Sequence, residues 1–196
     1  TNIFDGKGSK YLENHNSLKG AVCQLLSIND FPEKDPKNWQ WRFVVDCPSP
    51  DRIVLCENLD HLKLPDIAKE NNTELWYVGG NNIAIINDIS TSKLLLPIYY
   101  SGDWDFHGLK IYSRIKHKLK EKGANLILLT PQPESLPLPV DSPHHKSKWK
   151  NNKRLSGLNP NDFTEDQIQL IEKLIKKDEW LEEERSDLIE LLVFNK

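Results

Sequence analysis

The chain has 196 residues, 28% charged and 38% hydrophobic, with a formal net charge of −3. That is the balance of one globular domain, or one plus a small appendage, large enough for a real core. The overall charge does not announce a nucleic-acid binder, and no apolar run approaches the roughly 20 residues of a membrane span. The start, TNIFDGKGSK, is polar and lacks a signal-peptide pattern, so a cytoplasmic protein is expected. Cys23, Cys47 and Cys56 lie far apart with no CxxC pair, which reads as small buried thiols in a reducing compartment. The chain has no methionine, so we expect a fragment of a longer protein or a sequence that has lost residues.

In chain order, residues 1–16 are a polar tail, and Ser17 to Ile28 suits a short helix capped by Ser17. Its apolar side is Leu18, Val22, Leu25 and Leu26. Trp39, Trp41, Phe43 and Val45 alternate with other residues as in a strand. Arg52 to Cys56 is the next strand and runs into Glu57 and Asn58. Leu59 to Asn71 is expected to be helical, broken near Pro65. Glu74 to Val78 is a strand that closes on Gly79 and Gly80, and Asn82 to Ile89 is ambiguous. Leu94 to Tyr100 is an apolar run of strand length. After the turn at Ser101 and Gly102 come Asp103 and Asp105, and then a helix with Leu109, Ile111, Tyr112, Ile115 and Leu119 on its apolar side. Gly123 ends that helix, and Ala124 to Thr130 is a fourth strand. Five prolines between Pro131 and Pro143 make a loop. Thr164 caps a helix carrying Ile168, Ile171 and Leu174, and Trp180 to Val193 reads as a second terminal helix. The expected fold is therefore α/β, a mainly parallel four-stranded sheet flanked by helices, with a C-terminal helical extension.

In a parallel sheet the strand C-termini share one edge, and ligands of α/β folds bind there. Glu57 leaves one such strand and Asp103 and Asp105 leave another. Three convergent carboxylates suit a hard cation, Mg²⁺ or Mn²⁺. Without one, they repel and at least one tends to hold a proton. Acids at strand ends are also ordinary helix caps and turn formers. His107, next along, suits a phosphate contact or a proton carrier, or else the filling of the first helical turn. The run Glu182 to Glu184 reads as a solvated helix face, or as the source of one more carboxylate, Glu184. Lys146, Lys148, Lys150, Lys153 and Arg154 surround Trp149, a pattern suited to tracking a nucleic-acid backbone and stacking on a base, or to a solvated loop.

A strand ending in Glu57 and a later strand ending in Gly102-Asp103-Trp104-Asp105, with Gly108 soon after, resembles the Toprim pattern of topoisomerases, primases and related nucleases. The second string looks most like the C-terminal domain of the JetD family, the topoisomerase VI A-like nuclease subunits of Wadjet anti-plasmid defence. Asp141, His145 and Trp149 resemble that family's Asp…His…Trp segment. Phe163-Thr164-Glu165-Asp166 and Leu181-Glu182-Glu183-Glu184-Arg185 resemble its closing helices. The likeness spans roughly residues 40–193.

The resemblance implies a Toprim fold and a divalent metal at Glu57, Asp103 and Asp105. It also implies duplex DNA as substrate, a homodimer with one site per strand, and an SMC-type JetABC complex as partner. Residues 1–38 would be the end of an upstream winged-helix and arm region with a connecting helix. Residues 39–158 would be the Toprim domain and residues 159–196 its packed helices. None of Tyr11, Tyr77, Tyr99, Tyr100 or Tyr112 stands where a topoisomerase-type nucleophile is expected. The reading is thus hydrolysis by water in a fragment weak or inactive alone. Its rivals are a topoisomerase VI A-like transesterase and a non-catalytic scaffold or binding module.

Overall fold

The computed structural model describes residues 15–27, 43–63, 65–79, 83–142, 145–150 and 152–195, apart from the side chains of Leu26 and Glu184. The chain divides into two compact units, Thr1–Trp41 and Arg42–Lys196. In the first, α1 spans Asn16–Leu26 and ends on Ser27 in the left-handed conformation. The helix expected at Ser17 thus starts one residue earlier, with His15 rather than Ser17 at the N-cap and no side-chain cap bond. Cys23 is buried, whereas Leu25 is exposed.

The second unit is built on a five-stranded sheet with the order β1-β3-β2-β4-β5. Its strands are β1 (Val44–Val45), β2 (Arg52–Cys56), β3 (Thr73–Tyr77), β4 (Ile98–Ser101) and β5 (Leu126–Leu128). Strands β3, β2, β4 and β5 are parallel, and β1 runs antiparallel on the β3 edge. The four expected parallel strands are therefore present, joined by one more at the edge. Of the expected strand 39–45, only Val44–Val45 pairs; residues 39–42 lie outside the described residues.

Central β2 explains the layering. Ile53 and Leu55 point into one core with Tyr100, Leu109 and Ile115, while Val54 and Cys56 point into another with Leu75, Leu188 and Leu191. Apolar at every position from Ile53 to Cys56, the strand is buried on both faces there, as parallel sheets require. α3 (Phe106–Glu121) covers the first face, with Leu109, Tyr112, Ile115 and Leu119 inward. It ends before Gly123, whose φ of 78° takes the left-handed C′ position.

Several elements depart from expectation for identifiable reasons. The run Leu94 to Tyr100 is a strand only from Ile98, because Pro97 has no N–H to donate and Lys93–Leu95 forms a 3₁₀ turn instead. Leu59 to Asn71 splits into a 3₁₀ turn at Asp60–Lys63 and α2 (Pro65–Glu70), with Pro65 at the first helical position where its missing N–H costs nothing. Residues Ile83–Asp88 are 3₁₀ turns. The proline-rich loop contains β6 (Leu138–Pro139), paired with β7 (Glu179–Trp180).

α4 (Glu165–Lys177) begins with a complete capping box between Thr164 and Gln167. The expected single helix Trp180 to Val193 is not formed. Asp178 turns left-handed, β7 follows, Leu181 bridges to Trp104, Glu183–Arg185 is a 3₁₀ turn, and only then does α5 (Leu188–Phe194) start. Asp187 caps α5 by accepting the N–H groups of Ile189 and Glu190. Among the described residues no helix is long and apolar enough to cross a membrane.

Candidate functional site

The centre is organised by the register of β2 on β4, which sets Cys56 opposite Ser101. The pairing continues one step, since the Glu57 N–H donates to the Ser101 carbonyl at 2.9 Å. Glu57 thus leaves the sheet edge beside the chain entering Gly102 and Asp103. The Tyr100 hydroxyl donates to Glu57 Oε2 at 2.8 Å and fixes the carboxylate. Two glycines leave room for it. A Cβ on Gly102 would stand 2.6 Å from Glu57 Oε2, and one on Gly108 would stand 2.8 Å from the same atom and 2.2 Å from the Asp103 carbonyl oxygen.

The residue between the two aspartates is an anchor. Trp104 is buried, its N–H donates to the Leu181 carbonyl at 2.8 Å, and its indole N–H donates to the Leu129 carbonyl at 3.1 Å. This bridge brings the segment after β7 alongside the aspartates. The N–H of Glu183 then donates to Asp103 Oδ1 at 2.9 Å, and the N–H of Asn58 donates to Glu183 Oε2 at 3.0 Å. The other oxygen of Glu183, Oε1, is buried with no hydrogen-bond partner. His61 Nε2, also without one, lies 3.8 Å from it.

Three acids therefore meet from three parts of the chain: Glu57, Asp103 and Glu183. Burial pushes the Glu57 carboxyl up to about 7, with the charges of Asp103 and Asp105 adding to the effect against the Tyr100 hydrogen bond. Burial likewise raises Asp103 to about 6, opposed by its bond from the Glu183 N–H. Burial raises Glu183 to about 8, with Asp103 and Glu57 adding repulsion. Burial is the first cause in all three, and neighbouring charges add to it: Asp103 and Asp105 at Glu57, Asp105 and Glu182 at Asp103, and Asp103 and Glu57 at Glu183.

Asp105 plays a different part from the one expected. Its Oδ1 accepts the Gly108 N–H at 2.7 Å as the N-cap of α3, and its Oδ2 lies 2.9 Å from His145 Nε2. Both oxygens are thus committed. His145 in turn stacks on Trp180 with ring centroids 4.1 Å apart, and its Nδ1 lies 3.2 Å from the Val140 carbonyl, which only accepts. The geometry makes Asp105 and His145 a positioning pair at the start of α3.

Two further residues stand elsewhere than expected. Trp149 is buried and its indole N–H donates to the Glu179 carbonyl at 2.8 Å, so the ring fills the core and offers no face to a base. His107 is exposed on the first turn of α3, held by its N–H to Ser147 Oγ at 3.0 Å. Lys146, Lys148, Lys150, Lys153 and Arg154 are all exposed, as a backbone-tracking cluster needs. The side chain of Glu184 lies outside the described residues; the acid that reaches the centre is its neighbour Glu183. Glu183 was hidden by reading one helix over Trp180 to Val193. The N-cap signal at Asp187, ahead of LIELLVF, was the feature that could have divided it.

Among the described residues no three His, Cys, Asp or Glu side chains form a ready-made metal ligand group. The acids are instead held by protein donors. Their chemistry nonetheless fits a hard cation: oxygen atoms only, carboxyls raised by burial and by neighbouring acids, a buried Glu183 oxygen with no hydrogen bond, and two glycines leaving space at Glu57. No family model matches the sequence, and no curated protein matches it.

Proposed function

We propose that this chain is the Toprim-type catalytic domain of a JetD-like nuclease that hydrolyses phosphodiester bonds of duplex DNA with Mg²⁺ or Mn²⁺. The observation that carries the reading is the meeting of Glu57, Asp103 and Glu183 at the C-terminal edge of a parallel sheet, each carboxyl raised by burial and by neighbouring acids. Such perturbed carboxylates mark functional sites more often than structural ones.

In this reading Glu57 and Asp103 hold the cation, with Glu183 as the added carboxylate. The cation supplies positive charge against the scissile phosphate and relieves the repulsion among the acids. Tyr100 orients Glu57 through its hydroxyl. Oriented by Tyr100, Glu57 would give up its proton when the site is loaded and serve the cation as a ligand rather than as a base. Asp105 and His145 fix the first turn of α3 and so the position of Gly108 beneath Glu57. Lys146, Lys148, Lys150, Lys153 and Arg154 hold the DNA backbone, which positions the substrate without reading sequence. Tyr100 and Tyr112 are poor nucleophiles, because their hydroxyls are buried and hydrogen-bonded and burial raises both well above the ordinary phenol range; the reading therefore keeps water as nucleophile. A homodimer, an SMC-type partner complex and a cytoplasmic location belong to the same proposal.

One observation favours the rival, a non-catalytic module: the acids already have protein donors and form no closed ligand set. Calorimetric titration separates the two. Mg²⁺ or Mn²⁺ should bind the parent and not Asp103→Asn, whether or not the fragment alone cleaves DNA. A folded parent that binds neither ion, with or without a short duplex present, removes the nuclease reading.

A further inference from the structure

Beside the acidic centre, α3 and the loop following Trp149 enclose a second feature. Phe106, Lys110, Ser113, Arg114 and His117 share one face of α3 at helical spacing and form one wall of a cavity of about 270 Å³. Lys150, Lys153 and the turn Ser156–Gly157 form the other. In a chain of net charge −3, this cavity is lined by Lys110, Arg114, Lys150 and Lys153 against the single carboxylate of Asp162. Asp162 is itself paired with His117 Nε2 at 2.8 Å.

The basic side chains are held in place. The Lys150 and Lys110 ammonium groups lie 4.5 Å and 5.8 Å from the centroid of the Phe106 ring, so one buried aromatic gathers a cation from each wall. Ser156 Oγ accepts the Lys150 N–H at 2.5 Å. Leu155, Ser156 and Gly157 all have positive φ, at 47°, 58° and 85°, a costly run that the surrounding packing maintains. Two lining residues, Ser113 and Asp162, each carry a buried side-chain oxygen with no hydrogen-bond partner, Oγ and Oδ2 respectively. Both oxygens are closed to water as the side chains stand, so each meets a ligand only by turning into the cavity, where it gains the hydrogen bond it lacks.

We infer that this cavity binds one nucleotide unit of a nucleic-acid strand, the lysines taking the phosphate and Ser113 and Asp162 the hydrogen-bonding edge of its base. The inference rests on the nucleic-acid reading of the acidic centre and extends it. Phe106 follows Asp105 directly, so the cavity opens where α3 leaves that centre and would receive a stretch of strand flanking the cleaved bond. A bare phosphate uses only the cations; a nucleotide also uses the two unpartnered oxygens.

The test is fluorescence polarisation with a labelled 20-nucleotide single strand and the matching duplex. It is run in EDTA so that no cleavage occurs, with unlabelled mononucleotide and inorganic phosphate as competitors. Lys110→Ala/Lys150→Ala changes two exposed residues and should weaken binding at least 10-fold. It should also lower the salt dependence of log K by about 1.5, at roughly 0.7–0.9 per phosphate contact. Ser113→Ala should weaken mononucleotide competition several-fold and leave phosphate competition unchanged. Competition by free mononucleotide at micromolar concentration identifies a pocket open to either source; competition by strands alone identifies one that needs the flanking chain. Equal loss in the control Lys173→Ala/Lys176→Ala, on the exposed face of α4, overturns the site, as does phosphate competing as well as nucleotide. Pocket variants that bind nucleic acid normally while the parent binds Mg²⁺ overturn the pocket alone. Pocket-dependent binding by a parent that takes up no Mg²⁺ or Mn²⁺, with or without duplex, overturns the nuclease reading alone.

Discussion

The N–H of Glu183 donates to Asp103 Oδ1 across 80 residues of sequence, and this bond brings a third acid to the sheet edge. Replacing Glu183 by Gln keeps its shape and backbone donor while removing the ionisable group. Since burial raises its carboxyl to about 8, the parent carries little charge there at pH 6. The metal-free Glu183→Gln protein should then melt with the parent at pH 6 and above it at pH 9. Added Mg²⁺ should raise the melting temperature of the parent only. Thermal denaturation across pH, in EDTA and in Mg²⁺, checks both statements.

Metal-free stability should fall as pH rises. Glu57, Asp103 and Glu183 titrate at about 7, 6 and 8 in the folded chain, against about 4 in an unfolded one. Between those limits the folded state holds more protons, so its stability is fullest below pH 4 to 5 as far as these groups are concerned. It is lost progressively up to about pH 8, at roughly 1.4 kcal/mol per pH unit for each proton retained. Cation binding displaces the same protons and should tighten over that interval. Urea denaturation in EDTA at several pH values checks the first trend. Calorimetry in buffers of different ionisation enthalpy counts the protons released.

Gly108→Ala should damage both fold and centre. Its Cβ would lie 2.2 Å from the Asp103 carbonyl oxygen, a backbone atom, and 2.8 Å from Glu57 Oε2. Overpacking of this kind costs about 1–3 kcal/mol. Gly123→Ala is the comparison: it meets open space but carries a φ of 78° and should cost about 1 kcal/mol without touching cation binding. Chemical denaturation and Mg²⁺ titration of the two variants make the contrast.

Trp149→Phe should cost about 1–2 kcal/mol, because a buried indole N–H bond to Glu179 is lost and the ring shrinks. Nucleic-acid affinity should stay unchanged, since the ring is only 6% exposed. A selective loss of affinity with unchanged stability would restore a stacking role.

Thr164→Ala removes one half of the capping box and should cost about 0.5–2 kcal/mol. The carboxylate centre, fed by other elements, should bind cation as before. A denaturation midpoint and one titration suffice.

Local patterns made much of this molecule legible. The apolar stripe of α3, the stop at Gly123, the Thr164 cap and the four parallel strands all follow from residues within a few positions of one another. Glu57 and Asp103 were also accessible, because strand polarity alone puts both at one edge. Asp105 shows where that argument ends: nothing local distinguishes a cation ligand from a helix cap, and its bonds to Gly108 and His145 decide its part. Trp149 sits among lysines in sequence, yet its ring is taken up by the core beside β7. Glu183 was hidden because a run of three glutamates scores as a solvated helix. The Trp104–Leu181 bridge, a contact 77 positions apart, overrides that preference and draws the segment out straight.

That bridge has a consequence for the order in which the protein is made. A ribosome completes β2, β4 and α3 well before it reaches Glu183. A nascent chain can therefore hold its whole parallel sheet while Asp103 still lacks the donor at 183 and the acid behind it. The centre closes only when the segment after β7 emerges and docks on Trp104. Under the nuclease proposal, the interval between having a fold and having a site would keep the growing chain inert.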